Sequence, residues 1–383
     1  MWNNLPPEIL AFIFSFLPPD TLARARAVCQ QWNSCAQQHH LLLFSSTNHH
    51  QHLHPPWLLA VPTHNCRHFC YAYNPSLSRW YNISLSFIPS ALRLAVAAVG
   101  DGLLLVKPSL SIPSPLALCN PFTQHYKLLP PFICKRSNPS IGVVSTATGG
   151  YRIYVAGGSS NCTAYVSTME MYDSEAGTWQ IAGKMPEKYA ARMILWSTSG
   201  SVHHNGVLYW ITSARVYNVI GVDVGAPSPG WHEVGVPCAD QLEFATLVMT
   251  RGGRGLGLVG GLAGREVCLW ELEGRDTWVL VDKLPGEAVT RLLGREGKLG
   301  SVKCVGGGGL MYLFRDFGSV TSRIDLDYHL SWGWNLDLDM LIANHSKKLV
   351  LGCQTLNLLQ LKGFVLSHML SRKSILLAEA TLF

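Results

Sequence analysis

Residues 151–186 read YRIYVAGGSSNCTAYVSTMEMYDSEAGTWQIAGKMP. An apolar run of strand length, Tyr151 to Ala156, ends on the pair Gly157-Gly158. Apolar and aromatic residues bounded by glycine suit a buried strand followed by a turn. Tyr172-Asp173 and Trp179 follow, and the stretch ends on Met185-Pro186.

Both ends of this pattern recur along the chain. The Gly-bounded apolar run returns as DGLLLV (101–106), NGVLYWIT (205–212), RGLGLVGG (254–261) and GGLMYLF (308–314). The aromatic followed by an apolar-Pro pair returns as Trp80 with Ile88-Pro89 and Tyr126 with Leu129-Pro130. Trp231 with Val236-Pro237 and Trp278 with Leu284-Pro285 continue the series, and Trp332 or Trp334 fits as a sixth aromatic. Successive aromatics stand 46 to 56 residues apart. A period near 50 is that of kelch-type blades, four-stranded antiparallel sheets packed radially. Residues 151–186 resemble a kelch repeat in their Gly pair, Tyr-Asp and Trp. The copies around 65–89 and 95–131 lack the double glycine, and the copy at 205–237 has Ile211-Thr212 in its place. The expectation is a mainly β chain, a propeller of about six blades over residues 57–340. Its glycines would permit bends near the central channel, and its Trp side chains would form apolar plates between blades. Ring closure calls for a terminal strand, with candidates at Lys348-Leu349-Val350-Leu351 and Gly363-Phe364-Val365-Leu366. Residues 341–383 otherwise lose the repeat and read as an atypical C-terminal segment or tail.

Residues 5–37 have another texture: LPPEILAFIFSFLPPDTLARARAVCQQWNSCAQ. Pro6-Pro7 and Glu8 suit a helix's first turn. Ile9, Ile13 and Phe16 form one stripe, and Leu10, Phe14 and Leu17 the adjacent one. Pro18-Pro19 stops the helix. Two short helices follow, carrying Leu22, Arg26, Val28, Cys29 and Trp32. Three helices this short cannot bury enough surface alone. The apolar first helix therefore faces either an outside partner or the rest of this chain. The order of Leu5-Pro6, Glu8-Ile9-Leu10, Ile13-Phe14, Phe16-Leu17-Pro18, Leu22, Arg26, Val28-Cys29 and Trp32 resembles an F-box, here spanning residues 1–40. Gln30-Gln31 departs from the basic residue usual after the Cys. With the repeats, the chain resembles the plant F-box/kelch-repeat proteins. That resemblance implies an SKP-type adaptor bound through Leu5, Pro6, Ile9, Leu10, Ile13, Phe14, Leu17 and Pro18, and through it a cullin–RING ubiquitin ligase. Leu22, Val28 and Trp32 would hold the three helices together.

The 383 residues are 48 % hydrophobic and 14 % charged, with 35 Gly and 21 Pro. This composition excludes a largely disordered chain and a coiled coil. Of the net charge of +6, most lies after His345, and no Lys/Arg run with interleaved aromatics occurs, so no nucleic-acid partner is expected. No apolar run reaches the length of a membrane span. The eleven Cys are odd in number with no CxxC pair, and no leader precedes Leu5. Reduced thiols in the cytoplasm or nucleus are expected. Residues 41–56 read as a His-rich linker. His39, His40, His49, His50, His52, His54, His64 and His68, with Cys66 and Cys70, match no zinc spacing. Gly255 to Gly260 fits GxGxxG but is followed by another strand-like run rather than a helix.

No catalytic, cofactor or metal site is expected. The loops after the first-landmark strands hold Ser159, Ser160, Asn161, Ser213, Arg215, Arg265, Arg315 and Asp316. Arginine and small polar groups there can read an acidic or polar segment by charge-assisted bonds, or serve as ordinary solvated turns. The resemblance implies a non-catalytic substrate receptor of an SKP–cullin–F-box ligase with an unknown target. Alternatives are an adaptor-independent kelch scaffold and a small-molecule-binding propeller.

Overall fold

The computed structural model describes, apart from short internal gaps, residues 5–38, 57–189, 201–331 and 341–351. Three helices open the chain: α1 (Pro7–Ser15), α2 (Pro19–Arg26) and α3 (Gln30–Gln38). Leu10, Ala11 and Phe14 from α1 meet Ala25 from α2 and Cys35 from α3 in a small core. The Trp32 ring stands edge-on to Phe14 at 5.4 Å. The Cys35 thiol donates to the Pro7 carbonyl at 3.3 Å, tying the end of α3 to the start of α1.

Most of the other described residues form antiparallel sheets arranged as a β-propeller. Blade 2 is Leu94–Gly100, Leu103–Lys107, Ala117–Asn120 and His125–Leu128. Blade 3 is Ser140–Ser145, Tyr151–Ala156, Thr168–Asp173 and Thr178–Lys184. Blade 4 is Val202–His204, Val207–Ser213, Tyr217–Asp223 and Trp231–Gly235. Blade 5 is Leu242–Thr250, Gly255–Leu262, Glu266–Glu273 and Thr277–Lys283. A sixth sheet holds Val302–Gly307, Leu310–Arg315 and Tyr328–Ser331. Blade 1 joins the two ends of the ring: Leu58–Pro62, Phe69–Asn74 and Arg79–Ser84 take Lys347–Leu351 as their innermost strand. Leu58 lies opposite Leu351 and Pro62 opposite Lys347. Gly363 to Leu366, the other closure candidate, lies outside the described residues. Against the expected count of about six blades, five sheets have four strands, and a sixth has three among the described residues. The first strands neighbour one another in order from blade 2 to the sixth sheet, whose first strand lies beside Lys347–Leu351.

The two sequence landmarks fall on fixed blade positions. Every described Gly-bounded run is a second strand, and Trp80, Tyr126, Trp179, Trp231 and Trp278 all lie on fourth strands. The core is split into clusters between successive blades. Ile88 packs with Leu104 and Ala117 between blades 1 and 2, and Leu129 with Ile153 and Trp179 between blades 2 and 3. Met185 and Trp210 share the next cluster, and Leu284 packs towards the sixth sheet with Val302 and Leu313.

The indoles do more than fill space. Trp179 Nε1 donates to the Pro130 carbonyl of the preceding apolar-Pro pair at 2.8 Å. Trp278 Nε1 does the same to Gly235, beside Val236-Pro237, at 2.7 Å. The apolar residue of the pair also bonds through its backbone. Leu129 N–H reaches Leu116 O at 2.8 Å, and Leu284 N–H reaches Val267 O at 2.8 Å. The fourth strands of blades 3 and 5 are thereby locked to the blade before them.

The Gly157-Gly158 pair sits elsewhere than expected. Gly157 and Gly158 lie at the outward end of a second strand, at the rim rather than the channel, with φ of 68° and 92°. A Cβ on Gly158 would stand 2.8 Å from the Ser137 carbonyl, so only glycine fits. The GxGxxG stretch is strand Gly255–Leu262, and side chains of Thr250, Glu271, Leu242 and Phe244 press on its glycines.

Candidate functional site

Two surfaces carry the expected functional residues. The first is on α1. Leu10 and Phe14 are 2 % and 1 % exposed and belong to the helical core, so the reading that placed them on the adaptor face is corrected. Their burial follows from spacing, because positions 10, 11 and 14 share the face turned to α3. The opposite face carries Ile9, Phe12 and Ile13, exposed at 48 %, 54 % and 36 %. Pro6 is exposed, Leu5 half-buried, and Leu17 packs partly against the core. Pro18 lies outside the described residues. Phe12 was missed by stripe reading, although its i+3 relation to Ile9 puts it on the same face. Val28 was expected inside and is 63 % exposed, because the turn that ends α2 points it outward. Trp32 does hold the helices together. The Leu22 side chain lies outside the described residues.

The second surface is a rim of the ring. Antiparallel order sends every second strand in one direction. The loops between second and third strands therefore lie at one rim, with the connectors between blades. The chain enters blade 1 at Trp57, at the opposite rim, because Leu58–Pro62 occupies the second-strand position.

On this rim Ser159 and Ser160 form a short strand against Ala164–Tyr165. Ser159 also exchanges backbone bonds with Ser137 at 2.9 and 3.0 Å. Ser213 ends a second strand opposite Tyr217. Arg265 is exposed on the next hairpin, with φ of 61°, and its Nη2 donates to the Gly294 carbonyl at 3.2 Å. Gly294 follows α4 (Gly286–Leu293), a helix in the connector to the sixth sheet that buries Ala288, Val289, Leu292 and Leu293. Arg265 therefore braces a helix C-terminus, where a cation is favoured. Arg315 ends a strand opposite Val302, with its side chain outside the described residues. Asn161, Arg215 and Asp316 are also outside them.

One tightly bonded part of this rim was invisible in the sequence. Arg136, in the connector from blade 2 to blade 3, pairs with Glu170, and both side chains are fully buried. Arg136 Nη1 also donates to the carbonyls of Gly157 and Thr168 at 3.0 and 2.7 Å. Glu170 accepts the N–H groups of Ile133 and Cys134 at 2.7 and 3.0 Å. Lys107 donates to Asn138 at 3.3 Å, and partial burial pulls its pKa below the ordinary lysine range. These bonds fix residues 133–138 against blades 2 and 3. A charge pair with its remaining atoms hydrogen-bonded is the form in which buried charge is tolerated.

At the opposite rim, Asn74, Asp173 and Asp223 end third strands and accept backbone N–H groups of their own turns through side-chain oxygens. Glu175 N–H lies 2.9 Å from Asp173, and this bond is the main cause holding the Asp173 carboxyl below its usual range. Asn74-Pro75 and Asn120-Pro121 marked the turn in the weaker copies and could have been read with Tyr172-Asp173.

Among the described residues no group of three or more His, Cys, Asp or Glu is placed to hold a metal. The His-rich stretch lies outside them, while Cys70 is buried between blades 1 and 2, where burial raises its thiol pKa.

The F-box-like family model matches residues 2–43 and the Kelch motif model residues 144–186. The chain carries an F-box-like segment and a kelch motif. It is 27 % identical over 296 residues to the F-box/kelch-repeat protein At5g43190 of Arabidopsis thaliana, covering 74 % of this chain and 70 % of that one. It is 30 % identical over 146 residues to SKP1-interacting partner 15 of the same plant, covering 33 % and 38 %. Among solved structures, SapL1 lectin in complex with alpha methyl fucoside aligns with a TM-score of 0.44 at 14 % identity, covering 75 % of this chain and 96 % of that one.

Proposed function

We propose that this chain is the substrate-recognition subunit of an SKP–cullin–F-box ubiquitin ligase, acting in the cytoplasm or nucleus. The observation that carries the reading is α1. It closes its own core with Leu10, Ala11 and Phe14 and leaves Ile9, Phe12 and Ile13 exposed together. Such an apolar row on a helix suits a partner's groove. The name of the Arabidopsis relative, an SKP1-interacting partner, supports an SKP-type adaptor as that partner. The ring supplies the second binding surface, on the rim away from the entry of the chain at Trp57. The subunit itself does no chemistry. It raises the effective concentration of target lysines beside a ubiquitin-charged enzyme.

The test is affinity purification of the tagged chain from plant cells, scored for cullin. Wild type is expected to recover cullin, and the Ile9→Asp/Ile13→Asp variant to recover none. A wild-type chain that is folded yet brings down no cullin contradicts the reading.

A further inference from the structure

The rim is not uniform in charge. From Leu85 to Thr168 the basic residues are Arg93, Lys107, Lys127, Lys135, Arg136 and Arg152, and the single acid is Asp101. Asp101 lies outside the described residues. Arg152 pairs with Asp173, and Arg136 is consumed by Glu170. Lys127 and Lys135 are exposed at the rim between blades 2 and 3. The next exposed acid on this rim is Glu187, in the following connector.

The same place exposes large apolar side chains. Ile133 and Tyr165 are both 53 % exposed. They are joined by a continuous set of bonds. Ile133 is held by Glu170, Arg136 links Glu170 to Gly157, and Ser137 pairs with Ser159, which pairs with Tyr165. A fully buried ion pair is thus spent on fixing a loop whose outer surface is apolar and basic. Binding to such a preset surface loses little ordering entropy.

We infer that the rim between blades 2 and 3 is the target-docking surface, and that it takes an acidic peptide segment carrying large apolar side chains. The inference rests on the receptor reading, and it moves the contact from the arginines of the later loops to Ile133 and Tyr165 with Lys127 and Lys135. The apolar side chains supply burial, and the lysines supply selection and steering. A polyanion without apolar groups would answer only half of the surface.

The experiment is selection of displayed random dodecamers on the full chain bound to its SKP-type adaptor. Enriched peptides are expected to combine Asp or Glu with Leu, Ile, Phe or Trp. Their affinity is expected to fall about tenfold in Lys127→Glu/Lys135→Glu and to weaken with added salt. Ile133→Ser/Tyr165→Ser is expected to lose binding, while the thermal midpoint and adaptor binding stay at wild-type values. Enrichment without acidic bias, peptides bound equally by both variants, no enrichment, or equal binding of heparin would overturn the inference. Failure of the chain to hold an adaptor in the first step would count against the receptor reading instead.

Discussion

Arg136 and Glu170 show how much one side chain can organise. Removing one partner strands a buried charge, so Arg136→Ala is expected to lower stability by about 3–5 kcal/mol in urea unfolding. A loss under about 1 kcal/mol would mean that water already reaches the pair. A second contrast lies on α1. Leu10→Ala opens a cavity in a core of few residues and is expected to cost about 2–5 kcal/mol, enough to melt the helical unit. Ile13→Ala removes exposed surface and is expected to leave the helical signal unchanged. Circular dichroism of the two variants decides this, and equal effects would contradict the division of α1 into inner and outer faces. The sequence could not make that division. Its first helix is apolar nearly all round, so stripe reading found the helix without saying which stripe faced in. The Arg136–Glu170 pair was equally illegible, because its partners stand 34 positions apart and nothing in the repeat marks them.

At the scale of the element, blades 3 and 5 are locked to their neighbours through an indole on the fourth strand. Trp179→Phe keeps the ring but loses the bond to Pro130 O, leaving that carbonyl unpaired. A loss of about 1 kcal/mol is expected, with a parallel loss for Trp278→Phe. No change in either midpoint would reduce these indoles to space-fillers. The first strand of blade 4 is expected to carry a pH response. Burial lowers the pKa of both His203 and His204, with His204 also lowering His203 and Glu271 opposing the shift at His204. Both therefore take a proton less readily folded than unfolded. Their stabilising contribution is complete above the ordinary imidazole pKa and is lost as the pH falls through it. The thermal midpoint is expected to drop between pH 7 and pH 5, and to drop less in His203→Gln/His204→Gln. Equal drops would assign the response elsewhere. Second and fourth strands were legible because the landmarks lie on them. First strands were not. Val202–His204 has three residues and two histidines, and its place at the ring's centre comes from its neighbours.

For the whole molecule, closure is the long-range event. Lys347–Leu351 lies more than 280 residues from Leu58–Pro62 in sequence, and their pairing unites the ends of the ring. A chain ending at Ser346 leaves the Leu58–Pro62 edge unpaired and is expected to aggregate, while a chain ending at residue 356 is expected to stay monomeric. Light scattering of the two distinguishes them, and a monomeric shorter chain would mean that this strand is dispensable. The repeat made the propeller legible, and the run Lys348 to Leu351 was one of two closure candidates. What the sequence could not fix was the docking surface, which depends on how connectors fold over the rim. Arginines in the later loops drew the eye, but Arg265 braces a helix end. The central claim is that the N-terminal helices carry an adaptor through the outer face of α1. It is tested most directly by mixing the purified full chain with a purified SKP-type adaptor and measuring mass by light scattering. A one-to-one complex that Ile9→Asp/Ile13→Asp abolishes and Lys127→Glu/Lys135→Glu leaves intact is the predicted result. A folded wild-type chain that stays separate from the adaptor, or a complex untouched by the α1 substitutions, would contradict it.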